Sequence, residues 1–343
     1  MQLFVRRVLV DHHAKEILPD YLRFVRGVLD SDDLPLNISR ETLQENPHLQ
    51  KIKNTLVAKF LAHLQELARS DEAKYLEIWR QHGRVLKEGY ADFTQREKLA
   101  ELMRFNSSKS ADEKELVSLQ TYVERMPEKQ SEIYYLSGPA RETVSRNPIL
   151  EIFKAKEIEV LYCYEPIDEF ALPGLMEYKG KKFKSADQAD VKALSELPDK
   201  TAEKPAAEYD KKDMDHLARR IKDILGDKVE DVRVSERLVD SPALLVGTDS
   251  FMSSQMQRIM MHMQHQVELP KRNLEINPRH PLLRNMEQIY RQDPQDSFLT
   301  QLALRLFDSA QWVDGYVGDP LATATGLQEL LQQVADMYVK REK

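Results

Sequence analysis

Arg40 and Gln44 are the first residues whose type and spacing could do chemistry. They stand four apart, so on a helix they share one face. Ser39 reads as the N-cap of that helix, which puts Arg40 in its first turn. A cation at the positive end of the helix dipole disfavours the helix by about 0.3–1 kcal/mol unless an anion meets it. Two sources of that anion stay open. One is a ligand from elsewhere; the other is Asp32, Asp33 or another surface carboxylate, which spacing alone favours.

Other chemical signatures are missing. The 11 glycines form neither Gly-x-x-x-x-Gly-Lys nor Gly-x-Gly-x-x-Gly, so neither common phosphate cradle is written here. Gly315 and Gly318 read as a turn. His262 and His265 could share a helix face, but two histidines without a third ligand are polar-face residues first, and no metal is expected. There is no Gly-x-Ser-x-Gly elbow. A self-contained enzyme is the weakest reading.

Two apolar patterns could bind rather than react. Met252, Met256, Met260 and Met263 recur with Ile259 at helical spacing, interleaved with Ser253, Ser254, Gln255 and Gln257. Methionine is flexible and polarizable and suits surfaces that accept varied partners; ordinary core is the alternative. Farther on, Phe298, Leu302, Leu306 and Ala310 make one stripe, and Leu327, Leu330, Leu331, Val334 and Met337 another. Two helices close no bundle alone, whereas a two-fold copy supplies four, with packing inside one chain as the alternative. Tyr75 and Trp79 read as a core aromatic pair, with an exposed patch as the other possibility.

The elements that must position these residues give a mixed α/β (α+β) protein. Leu3 to Val10 reads as one buried strand, expected to belong to a larger sheet continuing outside the sequence, and Tyr21–Leu29 as a helix. Residues 52–105 read as a helical connector. Strands at 133–136 and 158–164 flank a helix at 142–156, a β-α-β unit. A polar stretch from Ser185 to Lys212 reads as a linker. A helix then ends at Gly226, strands follow at 229–234 and 243–246, and the remainder reads as helical. The expected divisions are 1–52, 53–105, 106–190, 191–212 and 213–343.

Composition narrows the partners. Hydrophobic residues at 41% suffice for real cores. Fifty Lys+Arg against 57 Asp+Glu leave a net charge of -7, which excludes a general nucleic-acid footprint. Cys163 is the one cysteine, so no internal disulfide forms and a reducing, cytoplasmic setting is expected. No apolar run nears the roughly 18 residues of a membrane span, and no membrane partner is expected.

Several segments together resemble the ninety-kilodalton heat-shock chaperone family. They are Asp30-Ser-Asp-Asp-Leu-Pro-Leu-Asn-Ile-Ser-Arg-Glu-Thr-Leu-Gln44, Leu102-Met-Arg-Phe-Asn-Ser-Ser-Lys-Ser110, Ser118-Leu-Gln-Thr-Tyr-Val-Glu-Arg-Met126, Glu165-Pro-Ile-Asp-Glu169, Arg237-Leu-Val-Asp-Ser-Pro-Ala243 and Leu274-Glu-Ile-Asn-Pro278. The ending Val-Lys-Arg-Glu-Lys343 is similar to the bacterial branch, without the acidic Glu-Glu-Val-Asp tail of eukaryotic cytosolic forms.

The resemblance implies an ATP-dependent chaperone for unfolded proteins in the stress response. Its N-terminal ATP-binding domain, and the front of its ribosomal S5-like middle subdomain, have no counterpart in this sequence. ATP and Mg2+ would then bind outside this chain, which alone should not hydrolyse ATP. Arg40 would reach the ATP γ-phosphate in the closed state with Gln44 assisting, as charge stabilisation of phosphoryl transfer. Met252, Met256, Ile259, Met260 and Met263 would contact client proteins, and the C-terminal stripes would form a homodimer; Trp79 is a further client-contact candidate on the reading of the residues alone, as the client-facing alternative to a core pair with Tyr75. The alternative is a constitutive dimeric adaptor or holdase without ATPase activity.

Overall fold

Arg6 and Arg7 interrupt the first apolar run. In the computed structural model, which describes residues 1–34, 47–197, 209–248, 253–264, 271–315 and 319–341, both take positive φ, 51° and 66°. The expected single strand is therefore a hairpin. β1 (Gln2–Val5) pairs antiparallel with β2 (Val8–Asp11), Val5 opposite Val8. Two adjacent guanidinium side chains cannot both face a core, and a two-residue turn at left-handed φ fits the strand twist. β3 (Val28–Ser31) runs parallel to β1, Gln2 opposite Val28. It takes ground expected for the helix 21–29, which shrinks to one 3-10 turn at Asp20–Leu22. Gly27 and the β-branched Val25 and Val28 favour extended chain there. Leu3, Val5, Ile17, Leu34 and Leu49 close a small core.

The chain divides into two units, Met1–Ile133 with Leu161–Phe183, and Tyr134–Val160 with Lys184–Lys343. In the first, α1 (Pro47–Ser70) starts with proline at its first position and buries Leu49, Val57, Leu61 and Leu64 along one stripe. α2 (Glu72–Lys87) is capped by Asp71, which accepts the Lys74 N–H at 3.1 Å, and buries Tyr75, Trp79 and Leu86. α3 (Arg96–Leu102) leads into β4 (Arg104–Ser107). β4 pairs antiparallel with both β5 (Val117–Ser118) and β6 (Leu161–Cys163), and α4 (Asp168–Leu175) follows.

The strand Glu132–Ser137, which belongs to the second unit from Tyr134 on, lies where the β-α-β reading placed one, but the helix 142–156 is two, Arg141–Ser145 and Leu150–Ala155. Pro148 divides them: it donates no N–H and disfavours helical backbone at Asn147. Glu151 then accepts the N–H groups of Val239 at 2.6 Å, Asp240 at 2.9 Å and Ser241 at 3.0 Å, together with the Ser241 hydroxyl.

α5 (Lys211–Leu225) ends at Gly226, φ 54°. β7 (Val232–Val234) and β8 (Ala243–Val246) flank an unexpected central strand, β9 (Asn273–Ile276), β7 parallel and β8 antiparallel to it. Between β8 and β9 stands α6 (Ser254–Gln264). After β9 come α7 (Pro281–Gln292), α8 (Ser297–Val313) and α9 (Pro320–Arg341). Leu217, Ile221, Leu274, Ile276, Leu283, Met286, Leu299 and Leu306 build one core from α5, β9, α7 and α8.

Candidate functional site

Of the residues expected to carry function, Arg40, Gln44 and Met252 lie outside the described residues, as does the side chain of Met263. The others divide between core and surface. Trp79 is 6% exposed, its indole packed on Gly83, where a Cβ would stand 2.7 Å from a ring carbon. Its ring centroid is 6.5 Å from that of Tyr75, and this burial fits the core-pair reading.

Lys87 lies on the same helix, 5% exposed, with its Nζ 2.6 Å from Asp168 and 2.7 Å from Glu165. Burial by itself would lower the ammonium; the two carboxylates hold it above its ordinary value, so Lys87 stays charged. A recess of about 220 Å³ opens beside this cluster, lined by Trp79, Arg84, Arg104 and Tyr164 among others.

The methionine helix is α6. Ser253 caps it by accepting the Met256 N–H at 3.0 Å, and Asp187 accepts the Ser254 N–H at 2.7 Å. Carboxylates suit that positive helix end. Met256, Ile259 and Met260 are half-buried. Arg258 donates to Gln255 at 3.2 Å and to Asp314 at 2.7 Å; Arg272 donates to the other Asp314 oxygen at 2.6 Å.

The two C-terminal stripes have different fates. On α8, Leu306 and Ala310 are buried in the unit's own core, with Leu302 packed against it and Phe298 half-buried. On α9, Leu327, Leu331 and Val334 are exposed at 38%, 60% and 47%, Leu330 is half-buried, and Met337 and Tyr338 are exposed too. α9 is held to α8 by Arg305, which donates to the Thr323 carbonyl at 2.9 Å, and Gly326 leaves room for that guanidinium. Leu327, Leu331, Val334 and Tyr338 follow i, i+4, i+7 and i+11, one continuous apolar face open to solvent.

Sequence reasoning missed Asp187, Asp314, Arg272 and Glu151. No local signal marks them, because their partners are 42 to 90 positions away. Among the described residues no group of three or more His, Cys, Asp or Glu could hold a metal, and no helix is long and apolar enough to cross a membrane.

These features define a mixed α/β protein whose last described helix has an open apolar face and which also carries a half-buried methionine helix. Residues 1–343 match the family described as Hsp90 protein, and the chain belongs to that family. The Chaperone protein HtpG of Oleidesulfovibrio alaskensis is 46% identical over 346 residues, covering 100% of this chain and 54% of that protein. The Chaperone protein HtpG of Nitratidesulfovibrio vulgaris is 42% identical over 341 residues, with 98% and 54% covered. That of Geobacter sulfurreducens is 41% identical over 338 residues, with 98% and 51% covered. The chain spans about half the length of the curated relatives it matches.

Proposed function

We propose that this chain acts in an ATP-dependent molecular chaperone, as the part that forms the dimer, touches unfolded clients and supplies an arginine to a nucleotide held elsewhere. The observation that carries the reading is the open apolar face of α9 in a chain of the Hsp90 family. A second copy covering that face would remove several leucine and valine side chains from water, at roughly 1.5–3 kcal/mol for each one fully buried. Each α9 then meets its mate as part of a four-helix arrangement with α8.

Clients meet α6, where Met256 and Ile259 can repack against different apolar segments. Arg40, with Gln44 assisting, stabilises negative charge on the transferring phosphoryl group when the whole protein closes. The chain by itself turns over no ATP. The divisions 1–52, 53–105, 106–190, 191–212 and 213–343 belong to this reading as the working parts.

Sedimentation tests the dimer. The wild-type chain should run as a dimer, and Leu331→Asp combined with Val334→Asp as a monomer of unchanged circular dichroism. A wild-type monomer at micromolar concentration overturns the proposal. An ATPase domain added in trans tests the arginine: hydrolysis should rise with the wild-type chain and not with Arg40→Ala. Equal hydrolysis with both chains would leave a dimeric holdase.

A further inference from the structure

Asp314 stands where a helix should repel it. α8 ends at Val313, and Asp314 is its C-cap, with its N–H reaching back to Ala310 O at 3.1 Å. A carboxylate at this negative end of the dipole is disfavoured by about 0.3–1 kcal/mol. Two guanidinium groups reverse the balance, Arg258 on one oxygen at 2.7 Å and Arg272 on the other at 2.6 Å. Arg272 is 4% exposed; among the described residues its Nε and Nη2 have no hydrogen-bond partner and Asp314 is its ion-pair partner.

Relative to apolar side chains of equal volume, an Arg–Asp–Arg set of which Arg272 is buried and Arg258 and Asp314 are half-buried adds little stability. What it does supply is direction. Arg258 belongs to α6, whose first turn is held separately by Asp187 through the Ser254 N–H. α6 therefore has two carboxylate mounts. One is at its N-terminus; the other, a turn farther on, is fixed to the C-cap of the helix that precedes α9.

We propose that Asp314 is a positioning residue, one anion shared by two arginines, which fixes the direction of the methionine helix relative to the end of α8. The inference rests on α6 being a client surface, since its consequence is the presentation of Met256, Ile259 and Met260.

Hydrogen exchange on the full chain tests it. In Arg258→Met, amides of residues 254–264 should exchange about ten-fold faster, while those of α5 stay within about two-fold of wild type. Arg258→Lys should recover part of the protection, because an ammonium reaches one oxygen without the planar fork. Asp314→Asn should match Arg258→Met, and the double variant should add nothing, as members of one network do. Should Asp314→Asn fail to fold because Arg272 is left unpaired, the Arg258 pair of variants decides. Unchanged exchange at 254–264 in Arg258→Met overturns the proposal. Binding of a chemically denatured protein, read by fluorescence anisotropy, separates the two ideas. Affinity should weaken several-fold in Arg258→Met; a loosened helix with unaltered affinity would keep Asp314 as the mount and remove α6 from the client surface.

Discussion

Gly83 is fixed by its neighbour. Glycine inside a helix costs roughly 0.5–1 kcal/mol relative to alanine, so alanine there should ordinarily stabilise. Here the added methyl would lie 2.7 Å from the Trp79 indole, whose ring is itself buried. Gly83→Ala should therefore destabilise the chain, by about 1–3 kcal/mol, read as a lowered urea midpoint; a raised midpoint would show that the indole moves freely. Lys87 gives a second residue-level test. Lys87→Met leaves Asp168, 2% exposed, as a buried charge without its cation, a loss of about 3–5 kcal/mol. Adding Asp168→Asn should return part of that loss, because the stranded charge goes with it. A double variant less stable than the single would contradict this account of the pair.

At the scale of elements, α7 carries an unusual cap. His280 accepts the Leu282 N–H through Nδ1 at 3.1 Å, which requires that nitrogen to be unprotonated. Burial lowers the His280 pKa from its ordinary 6.5, with Glu151 pulling the other way. A base depressed in the folded state binds its proton more readily when unfolded. Stability should thus fall as pH drops below about 6.5, by up to about 1.4 kcal/mol for every tenfold weakening of proton binding in the folded state. His280→Asn retains a capping acceptor that does not titrate, and its urea midpoint should lose that part of the acid dependence. An identical pH profile in both proteins would remove His280 as the cause.

The same scale shows what the sequence makes legible. α1 and α5 are long, periodic and bounded by Pro47, Asp210 and Gly226, so composition and spacing are enough to find them. β9 is four residues between Lys271-Arg272 and Asn277-Pro278, too short for period two to register, yet it is the middle strand of its sheet. Arg6-Arg7 lacks the Asn-Gly signature of a tight hairpin, so β1 and β2 read as one run. Pro148 is a stop signal inside the expected helix 142–156, outweighed there by apolar spacing. The candidate surfaces divide likewise. The α9 stripe follows from spacing; that the α8 stripe is largely used up by its own core does not, because the competing partners come from α5, β9 and α7.

For the whole molecule, one carboxylate sets a limit on how the protein can be taken apart. Glu151 gathers three successive amides and a hydroxyl from residues nearly ninety positions downstream. Asn277 closes the far side of that loop, donating to the carbonyls of Val239 and Ser241 at 3.2 and 3.0 Å. A recombinant piece covering 213–343 would keep the asparagine and lose the glutamate, handing those donors to water. Its β7–β8 loop should be cut by protease sooner than in the intact chain, and Glu151→Gln should reproduce that sensitivity without any truncation. Work on the C-terminal piece by itself would then measure a molecule with an unlatched seam.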